Sequence, residues 1–199
     1  MHKIILATGN LNKVREISAS LKGSSIEIMP QSMFNVPDAD ETGTTFVENA
    51  IIKARNCAAH TGEAAMADDS GIEVDALGGA PGVHSARYSG EHANDEKNTA
   101  LLLRNMENVP DGKRTARYWC VMVYMRSASD PTPIICQASW EGIIIREKRG
   151  TNGFGYDPVF LIPELGKTAA EVSLEVKNSM SHRAKAIKMM TERLREMHA

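Results

Sequence analysis

Two adjacent carboxylates, Asp68 and Asp69, follow the apolar stretch Ala64–Ala67 and precede a Ser-Gly pair. Asp, Ser and Gly are turn residues, so one interpretation is a solvated turn at the end of a strand. The other interpretation is a site for a metal or a water, because Mg²⁺ takes one or two protein carboxylates together with substrate phosphates. Glu41, in an acidic loop, is the candidate second carboxylate.

The two aspartates are expected to have different roles if the strand continues through them, since neighbouring strand residues face opposite sides. Asp69 lies nearer the Ser-Gly pair and is the preferred working carboxylate. An internal, hydrogen-bonded acid is the favoured interpretation of Asp68. For Glu41 the alternative is a solvated loop acid.

A candidate phosphate-binding turn, Thr8-Gly9-Asn10 followed by Lys13, lies between an expected strand and an expected helix. Backbone N–H groups at a helix N-terminus bind anions, and glycine permits a close approach. The G-x-x-x-x-G-K-[ST] pattern of a P-loop is absent. The alternative is an ordinary strand-to-helix turn with a surface lysine.

Two further clusters could bind a planar, polar ligand. In Gly153–Pro158 the glycine-flanked Phe154 could stack on a base, and Asp157 could accept hydrogen bonds from a base or sugar. Lys177 and the pair His182-Arg183 supply donors before the last long helix. The alternatives are a turn with a core-seeking aromatic residue, and a helix cap followed by exposed charges. The four clusters together describe a nucleoside triphosphate site.

Composition bounds the class of protein. A length of 199 residues suits one domain, or a core with a small lobe, and we expect a single domain over 1–199. The 42% of hydrophobic and 24% of charged residues are typical of a soluble globular protein. The net charge of -2 indicates no general attraction to nucleic acid. Three cysteines without a C-x-x-C pair argue against disulfides and zinc and favour a reducing cytoplasm. No apolar run is long enough for a membrane span, and the N-terminal one is too short for a signal peptide.

The elements that must position these residues alternate between helix and strand. Thr45-x-x-Glu48 is a capping box that opens a helix closed near Gly62. Hydrophobic spacing predicts further helices from 12, over 94–106 and after Ser181, and the last is expected to bury Ala184, Ile187, Met190, Leu194 and Met197. Strands are predicted over 4–7, 26–28, 64–67, 72–74, 117–125, 133–140, 142–145 and 159–162, with a partly antiparallel sheet in the second half.

Six segments, taken in order, resemble the inosine/xanthosine triphosphate pyrophosphatases, a family that removes non-standard purine nucleotides. They are ATGNLNK, ETGTTFVENAIIKA, ADDSGIEVDALGGAPGVHSARYSG, GTNGFGYDPVF, GKTAAE and SHRAKA. The resemblance implies an α/β fold: a mixed, twisted sheet flanked by helices, with two lobes and a central cleft. It also implies a homodimer that cleaves ITP, dITP or XTP, with Mg²⁺, to the monophosphate and pyrophosphate, and so cleanses the nucleotide pool.

The resemblance also implies residue roles. Glu41 and Asp69 would serve the metal, and Asp69 would be the base that activates water. The substrate-binding residues would be Thr8, Gly9, Asn10, Lys13, Lys53, Ser70, Arg87, Phe154, Gly155, Tyr156, Asp157, Lys177, His182 and Arg183.

Two alternatives stay open beside this hypothesis. One is a related septum-formation-type nucleotide pyrophosphatase, which acts on pyrimidine or modified bases; the FGYD and SHR segments argue against it. The other is a nucleotide-binding regulator that does not hydrolyse its ligand, and the intact Asp69 argues against that.

Overall fold

A computed structural model describes residues 2–21, 23, 26–90 and 94–197. The strands are β1 His2–Leu6, β2 Ile26–Pro30, β3 Ala65–Val74, β4 Thr115–Met125, β5 Ile134–Ile144, β6 Phe160–Ile162 and β7 Lys167–Thr168. The helices are α1 Leu11–Ser20, α2 Phe46–Thr61, α3 Asp95–Asn105, α4 Leu174–Met180 and α5 His182–Met197.

The strands form one seven-stranded mixed sheet in the order β2-β1-β3-β4-β5-β6-β7. Strand β1 pairs in parallel with β2 and with β3, whereas β6 pairs antiparallel with β5 and with β7. The predicted mixed sheet, antiparallel in part of its second half, is confirmed.

Strands β1 and β3 are buried on both faces, as their apolar sequences require. Ile4 and Met66 pack in a cluster with residues of α1 and α5. Their neighbours along the strands, Ile5 after Ile4 and Ala65 before Met66, pack instead in a cluster with residues of α2. Helices therefore cover both faces of this part of the sheet.

Two strand predictions need correction. Residues 68–71 do not form a turn, because β3 continues through them to Val74 and includes the predicted strand 72–74. Asp68, Asp69 and Gly71 are buried within that strand, so packing on the sheet overrides their preference for turns. The predicted strands 133–140 and 142–145 are likewise one strand, β5.

Helix boundaries follow the local signals. Asn10 caps α1 and Asn94 caps α3, while the predicted capping box of Thr45 and Glu48 opens α2. Helix α2 ends at Gly62, whose φ of 72° is a left-handed conformation that favours glycine. The expectation that Met197 faces inward is wrong, because it is 38% exposed at the end of α5.

The chain divides into two compact units. The first comprises Met1–Asp69, Cys120–Ala138 and Arg183–Ala199, and the second comprises Ser70–Trp119 and Ser139–His182. The second unit has its own core, in which Leu102 of α3 packs with Trp140 and Phe160. Among the described residues, no helix combines the length and apolar character needed to cross a membrane.

Candidate active site

Strand β3 places its two aspartates on opposite faces of the sheet. Met66, two residues before Asp68, packs in the cluster with α1 and α5, whereas Ala67, two residues before Asp69, packs in the cluster with α2. Because side chains alternate along a strand, Asp68 faces α1 and α5 and Asp69 faces α2. Each aspartate therefore forms its direct ion pairs with different cations.

Asp69 forms the centre of a carboxylate–lysine cluster in the first unit. The Nζ of Lys53, on α2, lies 2.7 Å from Asp69 Oδ1 and 3.1 Å from Glu41 Oε1. Burial raises the pKa of the Asp69 carboxyl, and the Glu41 charge adds to this, although the Lys53 ammonium opposes it. Burial opposes protonation of Lys53, but Asp69, Asp68 and Glu41 together raise its pKa. Lys53 thus stays cationic between two carboxylates.

The loop that carries Glu41 is fixed to the start of α2. The Gly43 amide donates to Asn49 Oδ1 at 2.8 Å, and a Cβ at Gly43 would lie only 2.7 Å from that oxygen. Glu48 accepts hydrogen bonds from the amides and hydroxyls of the two threonines that precede α2. Since Lys53 lies one helical turn after Asn49, α2 holds both the loop and the cation that reaches it.

Asp68 is buried among cations. Lys13 Nζ lies 2.9 Å from Asp68 Oδ2, and Arg183 Nε lies 3.6 Å from the same oxygen. Arg183 also pairs with Glu16, which is on α1 three residues after Lys13. Burial opposes ionisation of Asp68, yet Lys13, Arg183 and Lys53 outweigh it and hold the pKa of the carboxyl well below its usual range. Asp68 is therefore the buried, internally bonded acid that the sequence favoured.

The turn before α1 is organised by its own side chains. Asn10 Oδ1 accepts hydrogen bonds from the amides of Asn12 and Lys13, and the Asn10 amide donates to Thr8 Oγ1 at 3.2 Å. Gly9 and Asn10 are exposed, whereas Lys13 is half-buried. The exposed part of this turn and the Lys13 ammonium thus lie at the start of α1.

A second cluster, in the second unit, is built around buried Asp157. Its Oδ2 accepts hydrogen bonds from Lys177 Nζ at 2.7 Å and from the Phe154 amide at 2.9 Å. Tyr118 donates its hydroxyl to Asp157 Oδ1 at 3.3 Å. Lys177 Nζ also lies 4.8 Å from the centre of the Phe154 ring, within range of a cation–π interaction. The carboxylate of Asp157 is therefore engaged inside the protein, where it fixes Phe154 and Lys177.

Two aromatic residues of this cluster escaped the sequence analysis. The His182 ring stacks on Tyr118 with ring centres 4.8 Å apart and planes 10° apart, and it lies 6.3 Å from the Trp140 ring. Tyr118 and Trp140 belong to strands β4 and β5, which were identified only as strands. No motif in the sequence ties these two residues to His182.

The remaining predicted residues are distributed as follows. Ser70 continues β3, the exposed Arg87 ends a 3₁₀ helix, and Tyr156 donates its hydroxyl to the Ser85 carbonyl at 2.7 Å. Lys177, His182 and Arg183 have different side-chain contacts. Lys177 and His182 contact residues of the second unit, whereas Arg183 pairs with Asp68 and Glu16 in the first.

Hard divalent cations suit the donor set around Lys53. Asp69 and Glu41 bring carboxylate oxygens to one ammonium group, and Mg²⁺ commonly uses two such ligands with the remainder from phosphates and water. Over the described ranges, no cluster of three or more His, Cys, Asp or Glu side chains is arranged to hold a metal. Asp69 and Glu41 are thus the two described carboxylates that a divalent cation could use here.

Fold and site define an α/β protein in which two carboxylates of one buried strand pair with lysine and arginine side chains from the flanking helices, a combination suited to phosphate chemistry. A sequence model of the Ham1 family matches residues 4–193, and the chain belongs to this family. The family resemblance inferred from the six sequence segments is confirmed.

Relatives span nearly the whole chain. The dITP/XTP pyrophosphatase of Thioalkalivibrio sulfidiphilus (strain HL-EbGR7) is 59% identical over 192 residues, which cover 96% of this chain and 98% of that protein. The dITP/XTP pyrophosphatase of Shigella flexneri is 55% identical over 195 residues, with coverage of 98% and 99%. A HAM1 protein from Coxiella burnetii matches in structure with a TM-score of 0.92 and 47% identity, covering 98% of this chain and 100% of that one.

Proposed function

We propose that this protein hydrolyses ITP, dITP and XTP to the monophosphate and pyrophosphate, and so removes non-standard purine nucleotides from the nucleotide pool. The observation that carries the proposal is the pair of carboxylates, Asp69 and Glu41, on the Lys53 ammonium. Relatives named dITP/XTP pyrophosphatases, more than half identical over the full chain, support the same reaction.

Asp69 is the proposed general base. A base must be ionised at working pH and yet retain affinity for a proton, and the raised pKa of this carboxyl is in the useful direction. Lys53, bonded to Asp69 Oδ1, holds the carboxylate in one orientation and leaves Oδ2 to accept a proton from water. The water so activated attacks the α-phosphorus.

Asp69 and Glu41 are the proposed protein ligands of Mg²⁺. When bound, the cation would supply positive charge that neutralises the triphosphate and the leaving pyrophosphate. Lys53 and Lys13 supply further positive charge for the triphosphate, together with the turn Thr8–Asn10. Ser70 and Arg87 stay proposed substrate contacts.

The cluster around Asp157 is the proposed base-recognition site. Phe154 offers a ring for stacking, and Lys177 and His182 can direct donors to the 6-carbonyl that hypoxanthine and xanthine share. Adenine presents an amino donor at that position, so donors would face a donor and remain unpaired. Arg183 is proposed to contribute its backbone amide rather than its guanidinium, which has Asp68 and Glu16 as partners.

The proposal also covers the oligomeric state and the cellular location of the protein. We propose a homodimer, as the family resemblance implies, and sedimentation or light scattering of the purified chain would measure its mass. A cytoplasmic location is proposed because the three thiols, Cys57, Cys120 and Cys136, are buried and reduced.

Pyrophosphate release from a panel of ITP, dITP, XTP, ATP and GTP tests the function. We expect turnover of the first three to exceed that of the last two strongly, and chelation of Mg²⁺ to stop it. In ¹⁸O-labelled water, the label should appear in the monophosphate. Label in orthophosphate would instead identify an ordinary triphosphatase, and binding without pyrophosphate release would identify a regulator.

A further inference from the structure

Helix α3 contacts the loop that carries Phe154 by hydrogen bonds to the amide and the carbonyl of Gly155. The Gly155 amide donates to Asp95 Oδ2 at 2.7 Å, and the Gly155 carbonyl accepts from Thr99 Oγ1 at 3.3 Å. Asp95 and Thr99 are one helical turn apart and so share a face of α3. The helix therefore holds Gly155 on both sides, with Asp95 as the acceptor and Thr99 as the donor.

These two hydrogen bonds restrain the backbone directly beside Phe154. The φ of Gly155, 63°, is left-handed, and Gly155 follows Phe154 directly. The Phe154 amide, in turn, donates to Asp157 Oδ2, and Lys177 lies over the Phe154 ring. The backbone on both sides of the Phe154 side chain is thus held, by Asp157 on one side and by α3 on the other.

Asp95 has no share in the hydrophobic core, because it is exposed in the first turn of α3. Its neighbour Glu96 has the same exposure and charge but contacts Lys148, at 3.1 Å, instead of the loop. Two acids in one helical turn thus differ in whether they touch Gly155. Any difference between their variants reports on the loop, since their effect on the helix dipole is alike.

We infer that Asp95, assisted by Thr99, is a specificity-determining positioning residue that sets the orientation of the Phe154 ring for the purine base. The inference rests on the proposed function, because it presumes that Phe154 stacks on the base. Asp95 acts through the Gly155 peptide and does not itself touch substrate.

The test compares Asp95→Ala, Asp95→Asn and Glu96→Ala for pyrophosphate release from ITP and ATP. Loss of one hydrogen bond should raise KM for ITP, and lower the ITP-over-ATP ratio of kcat/KM, by about threefold to tenfold in Asp95→Ala. The kcat for ITP should change less than KM. Asp95→Asn keeps an acceptor oxygen and should recover most of the preference, whereas Glu96→Ala should match wild type.

A double-mutant cycle with Phe154→Ala separates positioning from general stability. If Asp95 acts through the Phe154 ring, Asp95→Ala should cost nothing further in the Phe154→Ala background. Losses that add, or an unchanged base preference in Asp95→Ala, would overturn the inference while leaving the proposed function intact. A wild-type enzyme with no base preference would instead overturn the proposed function, and the inference with it.

Discussion

Asp68 and Asp69 are consecutive residues of one strand, but they form their ion pairs with different cations. Asp68 is buried against Lys13 and Arg183, and its carboxyl has a lowered pKa. Asp69 shares Lys53 with a second carboxylate, and its carboxyl has a raised pKa. The first environment stabilises a fixed charge, whereas the second leaves a carboxylate able to accept a proton. Two identical side chains thus differ in their ion pairs and in the direction of their pKa shift because they lie on opposite faces of the sheet, and the reactive role is the one proposed for Asp69.

The largest expected effect comes from Asp69→Asn, which removes the base but preserves the shape of the side chain. We expect kcat to fall about 10²–10⁴-fold, the usual cost of losing a general base. Stability in denaturant should change little, because Lys53 keeps Glu41. Asp75→Asn, at an exposed aspartate paired with Arg117, is the matched control and should turn over like wild type. Near wild-type rates in Asp69→Asn would refute the assignment of the base.

Asp68→Asn should have the opposite profile, with stability as the main loss. The amide would place an N–H donor or a neutral oxygen against two cations, and breaking a buried ion pair costs about 3–5 kcal/mol. Arg183 retains Glu16, so the lower part of that range is expected. Urea unfolding of Asp68→Asn and Asp69→Asn, side by side, measures the difference. Equal unfolding midpoints for the two variants would contradict the stabilising role of Asp68.

Lys13→Ala tests whether Lys13, which pairs with Asp68, also binds the triphosphate of the substrate. A hydrogen bond to a charged group contributes about 1.5–3 kcal/mol, so KM should rise roughly tenfold to a hundredfold. The rise should be the same for ITP, XTP and ATP, since the triphosphate is common to them. Lys3→Ala, at an exposed lysine of β1, provides the control. A rise confined to one base would show that Lys13 acts on base recognition instead.

The smallest effect is expected for Glu16→Gln. Arg183 would lose Glu16 as a carboxylate partner but keep Asp68, so the free energy of unfolding should fall by only about 1–2 kcal/mol. Base preference should not change, because the Arg183 guanidinium is not proposed to touch the base. An altered ITP-over-ATP ratio in Glu16→Gln would assign the guanidinium a direct role.

Local sequence determined those features whose causes lie within a few residues. The capping box of α2, the Asn10 cap of α1 and the alternation that separates Asp68 from Asp69 all depend on short-range geometry. The spacing of Asn49 and Lys53 likewise places both on one face of α2. The motifs were also specific enough to identify the family, since their order along the chain is itself information.

Only the tertiary structure decided which helix covers which face of the sheet, and therefore which cations each aspartate meets. Arg183 and Glu16 are 167 residues apart in sequence, and their pairing follows from packing of α5 and α1 on one face. The same holds for Tyr118 and Trp140 against His182. Strand β3 also continues through residues 68–71, because hydrogen bonding and packing in the sheet outweigh the preference of these four residues for a turn. Such contacts join distant segments, and no local pattern in the sequence encodes them.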